Sequence, residues 1–472
     1  MIYIERMYIN LICIVIKIER KIKMKGKQIF SDQDHLLAEQ EIFSSVDCVS
    51  RAELLEIGEK VYGGFLGLGV AITGSSCYQL NLMQPEERRV LLEKIYSKEG
   101  LGLSLGRISV GSSDYSAELY SYDDVSGDES LEFFSIERDE EYIIPMIKEI
   151  LKVNPDLYLY ASPWSPPGWM KTGGSMCGGY MRNAYLECYA NYLVKFVQSY
   201  AEHGIHISAI TPQNEPNFDQ NGKMPACRWH PETEAEFIQI LHRKFEEANL
   251  DVKIWMFDHN FSDTNRVIWS LDECKGLLEC CDGVAFHYYS GRIEETREIL
   301  KKYPTMNLHF TEGGPRLTDH YDNDWCKWSM MIAKALNHGY KSFTGWNLML
   351  NEMGGPNIGP FLCGGLVTRH SITGELTFSG QYKAFSHISP YIKPDSEIYP
   401  IYLGDGYGQT MHNYPKFKRE VGGFAIDNND GKIVMVVINP NADKMQTRFR
   451  VNDAWWYAEL QPDSVSTIII DL

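Results

Sequence analysis

The sequence is short of what several large classes of protein require. Its 11 cysteines are odd in number and scattered. None falls in a C-x-x-C spacing and Cys280 and Cys281 stand side by side, so neither a disulfide framework nor a zinc site of the usual spacing is indicated. Reduced thiols in a cytoplasmic protein are the expectation, with secretion as the alternative. Basic charge is also scarce: 45 Lys and Arg against 63 Asp and Glu leave −18, with no basic block to offset it, which disfavours a nucleic-acid partner. Long apolar runs are missing. Met7 to Ile16 is apolar but lies between Glu5, Arg6, Lys17 and Glu19, too short a stretch to span a bilayer, and no transmembrane anchor is expected. Lys17 to Lys27 supplies charges where a secretory signal needs a small-residue cleavage site. Met24 is therefore expected to be the natural start, with residues 1–26 an extension outside the fold and residues 1–23 foreign to the natural protein. There is no internal repeat and no low-complexity linker.

What the 472 residues do contain is enough apolar material for a large core. Apolar residues make up 44% and charged residues 23%, the balance of a globular chain and not of a disordered one. The length suits one large barrel with a smaller partner domain. Aromatics reach 12%, with 28 Tyr and 10 Trp. Most belong in cores and domain seams; the remainder suit the flat faces of sugar rings.

Across residues 61–394 short β-rich apolar runs alternate with amphipathic helical stretches, the pattern of a parallel sheet with crossover helices. Strand candidates begin at Gly63, Leu103, Leu157, Ile207, Val252, Gly283, Asn307 and Lys341. Helices read between them at Pro85 to Ser97, Asp139 to Val153, Asn183 to His203, Glu232 to Asn249 and Asp324 to His338, each with apolar residues three and four apart. Eight strands, each followed by a helix, predict an α/β fold, a (β/α)8 TIM barrel. From 395 to 472 the pattern changes to short alternating runs, such as Gly431 to Ile438 and Ser464 to Ile470, separated by polar turns like Asn428-Asn429-Asp430-Gly431. This tail reads as an antiparallel β-sandwich. Residues 27–60 mix strand-like pieces with a helical run at Arg51 to Lys60, and are expected to join the sandwich in part.

In such a barrel, chemistry belongs at the C-terminal ends of the strands. Those ends are polar: Arg107 to Asp114, Trp164, Asn214-Glu215, Asp258-His259-Asn260, His287-Tyr288-Tyr289, Glu312 and Trp346-Asn347. A lone Glu at a strand end is more often a surface or salt-bridged group. Glu215 and Glu312, however, end strands on opposite sides of the mouth. Glu215 sits between Asn214 and Pro216, and Glu312 precedes Gly313-Gly314, which lets backbone approach a ligand. Paired carboxylates there suit glycoside hydrolysis, in which one protonates the departing oxygen while the other attacks the anomeric carbon or activates water. Asn214 would bind a sugar 2-hydroxyl. The nearby charge of Glu312 is expected to raise the pKa of Glu215 and keep it protonated.

Asp258, His259 and His287 could instead ligate a metal, but no H-x-H comes after strand one and the set is incomplete. No metal and no cofactor is expected. The glycines from Gly67 do not make a dinucleotide fingerprint, because the third is misplaced; close packing at the barrel entrance explains them better. A carbohydrate-binding protein without catalysis is the reading outside enzymes.

At these residues the sequence resembles glycoside hydrolase family 30, the glucosylceramidase-like group of retaining β-glycosidases. The stretches that carry the resemblance are S-P-W-S-P-P-G-W-M-K-T from Ser162, T-P-Q-N-E-P from Thr211, V-A-F-H-Y-Y from Val284, F-T-E-G-G from Phe310 and W-N-L-M-L-N-E-M-G-G-P-N from Trp346. The resemblance implies that Glu215 is the acid/base and Glu312 the nucleophile. It also implies that Arg107, Asp114, Trp164, Asn214, His287, Tyr289 and Trp346 line the subsite for the reacting sugar. Asp114 would bind sugar hydroxyls, His287 and Tyr289 would orient Glu312, and Trp164 and Trp346 would offer ring surfaces. A carbohydrate or glycoconjugate partner and a role in carbohydrate or sphingolipid metabolism come from the same source, with β-glucosides as the expected substrates and β-1,6-glucans, β-xylosides and β-fucosides as alternatives. The usual G-F-G-G of the family's first strand reads G-F-L-G-L-G-V here. The loop Asn217 to Arg228 matches no subgroup, so the sugar and linkage stay open.

Overall fold

The computed structural model describes residues 24–45, 52–61, 64–394, 396–403 and 421–472; the expectation for residues 1–23 lies outside them. The chain divides into two compact units, Gly63–Asp395 and the segments on either side of it.

In the first unit eight parallel strands close a barrel: Gly67–Ala71, Leu105–Val110, Tyr158–Pro163, Ile207–Ile210, Lys253–Asn260, Gly283–His287, Asn307–Glu312 and Tyr340–Gly345. Each is buried almost throughout because a parallel strand is covered on both faces, by the barrel interior and by the helix that comes after it. Gly67–Ala71 is buried at every position. Its glycines answer to crowding: a Cβ on Gly69 would meet the Leu105 carbonyl oxygen at 2.2 Å, and Gly67, at φ +140°, would place one 1.8 Å from the Ser104 hydroxyl. The helices form where the apolar spacing predicts. Pro85–Tyr96 opens with proline in its first turn, and Leu186–Glu202 and Trp325–Asn337 bury one face each. The predicted helix from Asp139 is broken into Glu137–Glu140 and Ile143–Val153.

The barrel interior is layered. At the bottom Trp255 stacks on His309, with ring centroids 3.7 Å apart, and lies against Tyr160. Burying one Trp removes on the order of 200 Å² of apolar surface, worth about 5 kcal/mol by area. Above this plug the interior turns polar, and the site begins. The loop after the second strand is tied down from outside the barrel: Tyr120, Tyr122 and Tyr200 each donate a hydroxyl hydrogen bond, at 2.5, 2.6 and 2.5 Å, to the buried Asp139 carboxylate. Three donors on one carboxylate offset part of its desolvation and fix the segment that begins at Asp114.

The second unit is a mostly antiparallel ring of nine strands, in which Lys25–Ser31 pairs with both Ala38–Ser45 and Ser464–Asp471. Two expectations are corrected here. Lys25 and Gly26 lie in a strand, not in an extension outside the fold. Glu53–Ile57 is also a strand, not part of a helix. Its Leu55 and Ile57 face a core with Phe449, Trp456 and Ile468, while Glu56 between them is exposed; period-2 burial against neighbouring strands overrides the helix-forming Leu and Glu. Among the described residues no helix is long and apolar enough to cross a membrane.

Candidate active site

Local backbone irregularities aim the polar side chains at the barrel mouth. Four residues other than glycine adopt positive φ at the C-terminal ends of strands: Glu215 (52°), Phe257 (78°), Asp258 (61°) and Asn347 (61°). Such conformations cost about 1–3 kcal/mol each and persist only where surrounding contacts hold them. The pairing register also shifts between Phe257 and His259, and again between Phe310 and Glu312. An extra residue in a strand re-aims the side chains beyond it, so Asp258 turns inward and Glu312 faces the cavity. Gly313 and Gly314 are required by packing: a Cβ on Gly314 would sit 2.7 Å from the Trp346 Cβ, and one on Gly313 would meet the Tyr288 and Phe310 rings.

Arg107, with no exposed surface, is the hub beneath the cavity. Its Nη2 donates to Asn214 Oδ1 and to Asp258 Oδ2, both at 2.8 Å, its Nε donates to Ser162 at 3.1 Å, and its Nη1 donates to Glu312 Oε2. The guanidinium also lies under the rings of Trp164 and Trp346, 4.8 and 5.5 Å from their centroids, and these two indoles stack at 5.2 Å. Asp258 accepts in addition from Ser162 at 3.0 Å, Thr211 at 2.7 Å and Thr311 at 2.6 Å. Burial opposes its ionisation, but Arg107, His287 and these hydroxyls more than reverse that and hold it far below the usual carboxylate range.

His287 spans two acids. Its Nε2 lies 3.0 Å from Asp258 Oδ1 and its Nδ1 3.2 Å from Glu215 Oε1. Burial would lower its pKa, but Glu312, Asp258 and Glu215 outweigh burial and raise it to about 9. Glu215 accepts from Gln220 Nε2 at 2.9 Å on its other oxygen. Burial would raise this carboxyl, and the His259 and His287 rings with Gln220 bring it down to about 2. Burial pushes His259 itself toward its neutral form, so the charged neighbour of Glu215 is His287. The expectation that Glu312 raises the pKa of Glu215 is thus corrected: the two histidines and Gln220 outweigh burial and lower it. Glu312 is held on both oxygens, by Arg107 and by the Tyr289 hydroxyl at 2.9 Å. Asp114 is pushed well above the carboxylate range by burial first, then by Glu312 and Glu215. Its buried Oδ1 has no hydrogen-bond partner among the described residues and is placed to meet a ligand hydroxyl.

These groups surround a cavity of about 220 Å³. Of the nine predicted site residues, Asp114, Trp164, Asn214, Glu215, Tyr289, Glu312 and Trp346 line it, while Arg107 and His287 lie beneath it as its support. Donor atoms of Glu215, His287 and Glu312 all fall within 4.8 Å of one another. A cation could be reached on distance alone, but both Glu312 oxygens and both His287 nitrogens already have protein partners and the Arg107 cation stands among them, so the donor set does not suit a metal. Asp258, the third candidate ligand with His259 and His287, is wholly buried in the Arg107 network. Sequence reasoning did not place Phe218, Gln220, Met224, Arg316, Phe361 or Cys363 at the cavity wall. All come from loops, where no periodicity signals direction.

Lys171, in the loop after the third strand, fixes part of that wall. Its fully buried ammonium donates to Ser165 at 2.8 Å and to the carbonyls of Met176 and Ala226 at 2.7 Å. It ties this loop to the one carrying Gln220 and Met224. Burial lowers its pKa to about 8. Lys171→Met removes all three of these buried hydrogen bonds, and is expected to destabilise the protein by about 3 kcal/mol. Urea unfolding measures this; an unchanged midpoint would contradict the role.

The TIM-barrel domain model of glycosyl hydrolase family 30 matches residues 65–388. An endo-1,6-β-D-glucanase of Neurospora crassa is 29% identical, over 70% of this chain and 71% of the relative. The lysosomal acid glucosylceramidase of Mus musculus is also 29% identical, over 63% of this chain and 62% of its own length. The solved structure of SrfJ from Salmonella typhimurium superposes with a TM-score of 0.86 at 26% identity, covering 95% of this chain and all of that one.

Proposed function

The chain belongs to glycosyl hydrolase family 30, and from that footing we propose that it is a retaining β-glycosidase acting on β-glucosides by double displacement. Glu312 attacks the anomeric carbon while Glu215 protonates the departing oxygen; Glu215 then takes a proton from the water that releases the sugar. The observation that carries this reading is the closeness of the two acids, whose nearest oxygens lie within 4.8 Å. Retaining glycosidases need about 5–5.5 Å between their carboxyl groups, whereas inverting ones leave about 6.5–9.5 Å for a water. Arg107 and Tyr289, each donating to one of its oxygens, keep Glu312 aimed. Asn214, steadied by Arg107, is available to the sugar 2-hydroxyl.

Its three acidic neighbours hold His287 protonated up to about pH 9, and the 3.2 Å contact is the route by which its proton would reach Glu215. Substrate displaces water from around the carboxylate, which disfavours its charged form and draws the proton across. As pH rises through about 9 the pair loses this proton, Glu215 can no longer act as an acid, and kcat/KM falls. The basic limb of the pH profile therefore belongs to the pair and not to Glu215 alone. His287→Gln removes the proton store and is expected to move that limb to lower pH, toward the carboxyl range. A limb that stays in place would contradict the assignment.

For the sugar, support comes from two relatives whose names share a glucosyl unit, and from a cavity sized for a single ring. A panel of aryl β-glucoside, β-xyloside and β-fucoside, with glucosylceramide and β-1,6-linked gluco-oligosaccharides, tests it. The glucose-based substrates are expected to be cleaved fastest; a faster xyloside or fucoside would overturn the choice of sugar.

A further inference from the structure

One cation at the cavity wall has no anionic partner among the described residues. Arg316 lies beyond Glu312 on the loop after the seventh strand, and its backbone bridges to Cys363 while the Leu317 amide donates to the Leu362 carbonyl at 3.2 Å. Its guanidinium lies 5.7 Å from the centroids of both the Tyr289 and Phe361 rings, half-buried on the cavity wall. Among the described residues it makes no side-chain hydrogen bond and no ion pair. The two acids nearest to it in sequence are taken, Glu312 by Arg107 and Tyr289, and Asp319 by Lys327 at 2.9 Å. Two other arginines of the same unit are paired, Arg228 with Asp219 and Arg266 with Glu234.

The two rings flanking Arg316 attract its charge but accept no hydrogen bond in its plane, so its five donors are left for a ligand or for water. Its planar fork matches a carboxylate or phosphate bidentately, whereas a single hydroxyl would satisfy one donor. The remaining charges of the site are mainly acidic, Glu215, Glu312 and Asp258 against Arg107 and His287, so without Arg316 a negatively charged sugar would be repelled. We propose that Arg316 selects glycosides bearing an anionic group, a carboxylate or a phosphate, on the sugar that sits beside Glu312 and Tyr289. This rests on the glycosidase reading above and names a substrate class within it.

The test compares kcat/KM for aryl β-glucoside, aryl β-glucuronide and aryl 6-phospho-β-glucoside in the wild type, Arg316→Met and Arg316→Lys. The wild type is expected to cleave one of the two anionic substrates about tenfold better than the neutral one, and which of the two it prefers distinguishes carboxylate from phosphate. Arg316→Met should lower the ratio of anionic to neutral kcat/KM about 10²-fold, and Arg316→Lys should restore it in part, because it keeps the charge and loses the fork. A wild type that cleaves the glucoside faster than both anionic substrates, or a ratio unchanged in Arg316→Met, overturns the proposal and leaves the glycosidase reading standing. Failure to cleave any of the three overturns both.

Discussion

Glu312→Gln is expected to abolish turnover of every substrate, lowering kcat/KM by about 10⁴-fold or more whatever the leaving group. The reason is that Glu312 forms the covalent bond to the sugar, and an amide of the same shape cannot. Neither an activated aryl leaving group nor a higher pH compensates, because the leaving group departs in the same step in which Glu312 forms its bond to the anomeric carbon. The substitution also puts an amide nitrogen opposite either Arg107 or Tyr289, each of which donates to a different oxygen of Glu312 in the wild type, so circular dichroism must accompany the kinetics. A variant that keeps more than about one per cent of wild-type activity with its fold intact would remove Glu312 from the reaction.

Glu215→Ala separates the two roles. An activated dinitrophenyl glycoside leaves without a proton, so its first step is expected to fall by less than about tenfold, whereas an alkyl glycoside or a disaccharide should lose about 10³-fold or more. The second step slows for both because no base remains to activate water. Added azide, which needs no base, should therefore accelerate release from the activated substrate and give a β-glycosyl azide. Equal losses on good and poor leaving groups would show that Glu215 does not deliver the proton.

The positions of both acids were legible because a parallel barrel turns chain order into geometry. Once Ile207–Ile210 and Asn307–Glu312 count as the fourth and seventh of eight strands, the residues that end them must face one mouth. Less legible was anything set by closure of the ring. Arg107 was read as a lining residue, yet it lies under the cavity and joins Ser162, Asn214, Asp258 and Glu312, side chains that sit on or just after four other strands. Asp258 was read as a candidate metal ligand because its inward turn depends on a register shift beside Phe257 that no sequence pattern announces. The pKa of Glu215 was argued in the wrong direction for the same reason: Glu312 was counted as its neighbour, while His287, 3.2 Å away, was assigned to Glu312 alone. Gln220 and Arg316 sit on loops whose course depends on contacts such as those of Lys171, not on local propensity. In the second unit Glu53–Ile57 reads as helix by its Glu and Leu, and the partners that make it a strand, Ile401–Leu403 and Thr447–Arg448, lie far along the chain.

The most direct test of the paired-glutamate account is the configuration of the first sugar released. Proton NMR during the opening minutes of hydrolysis of the best aryl β-glycoside, before mutarotation, should show the β-anomer of the free sugar appearing first and the α-anomer growing in only later. Initial release of the α-anomer would mean a single displacement by water, and would contradict a covalent intermediate on Glu312.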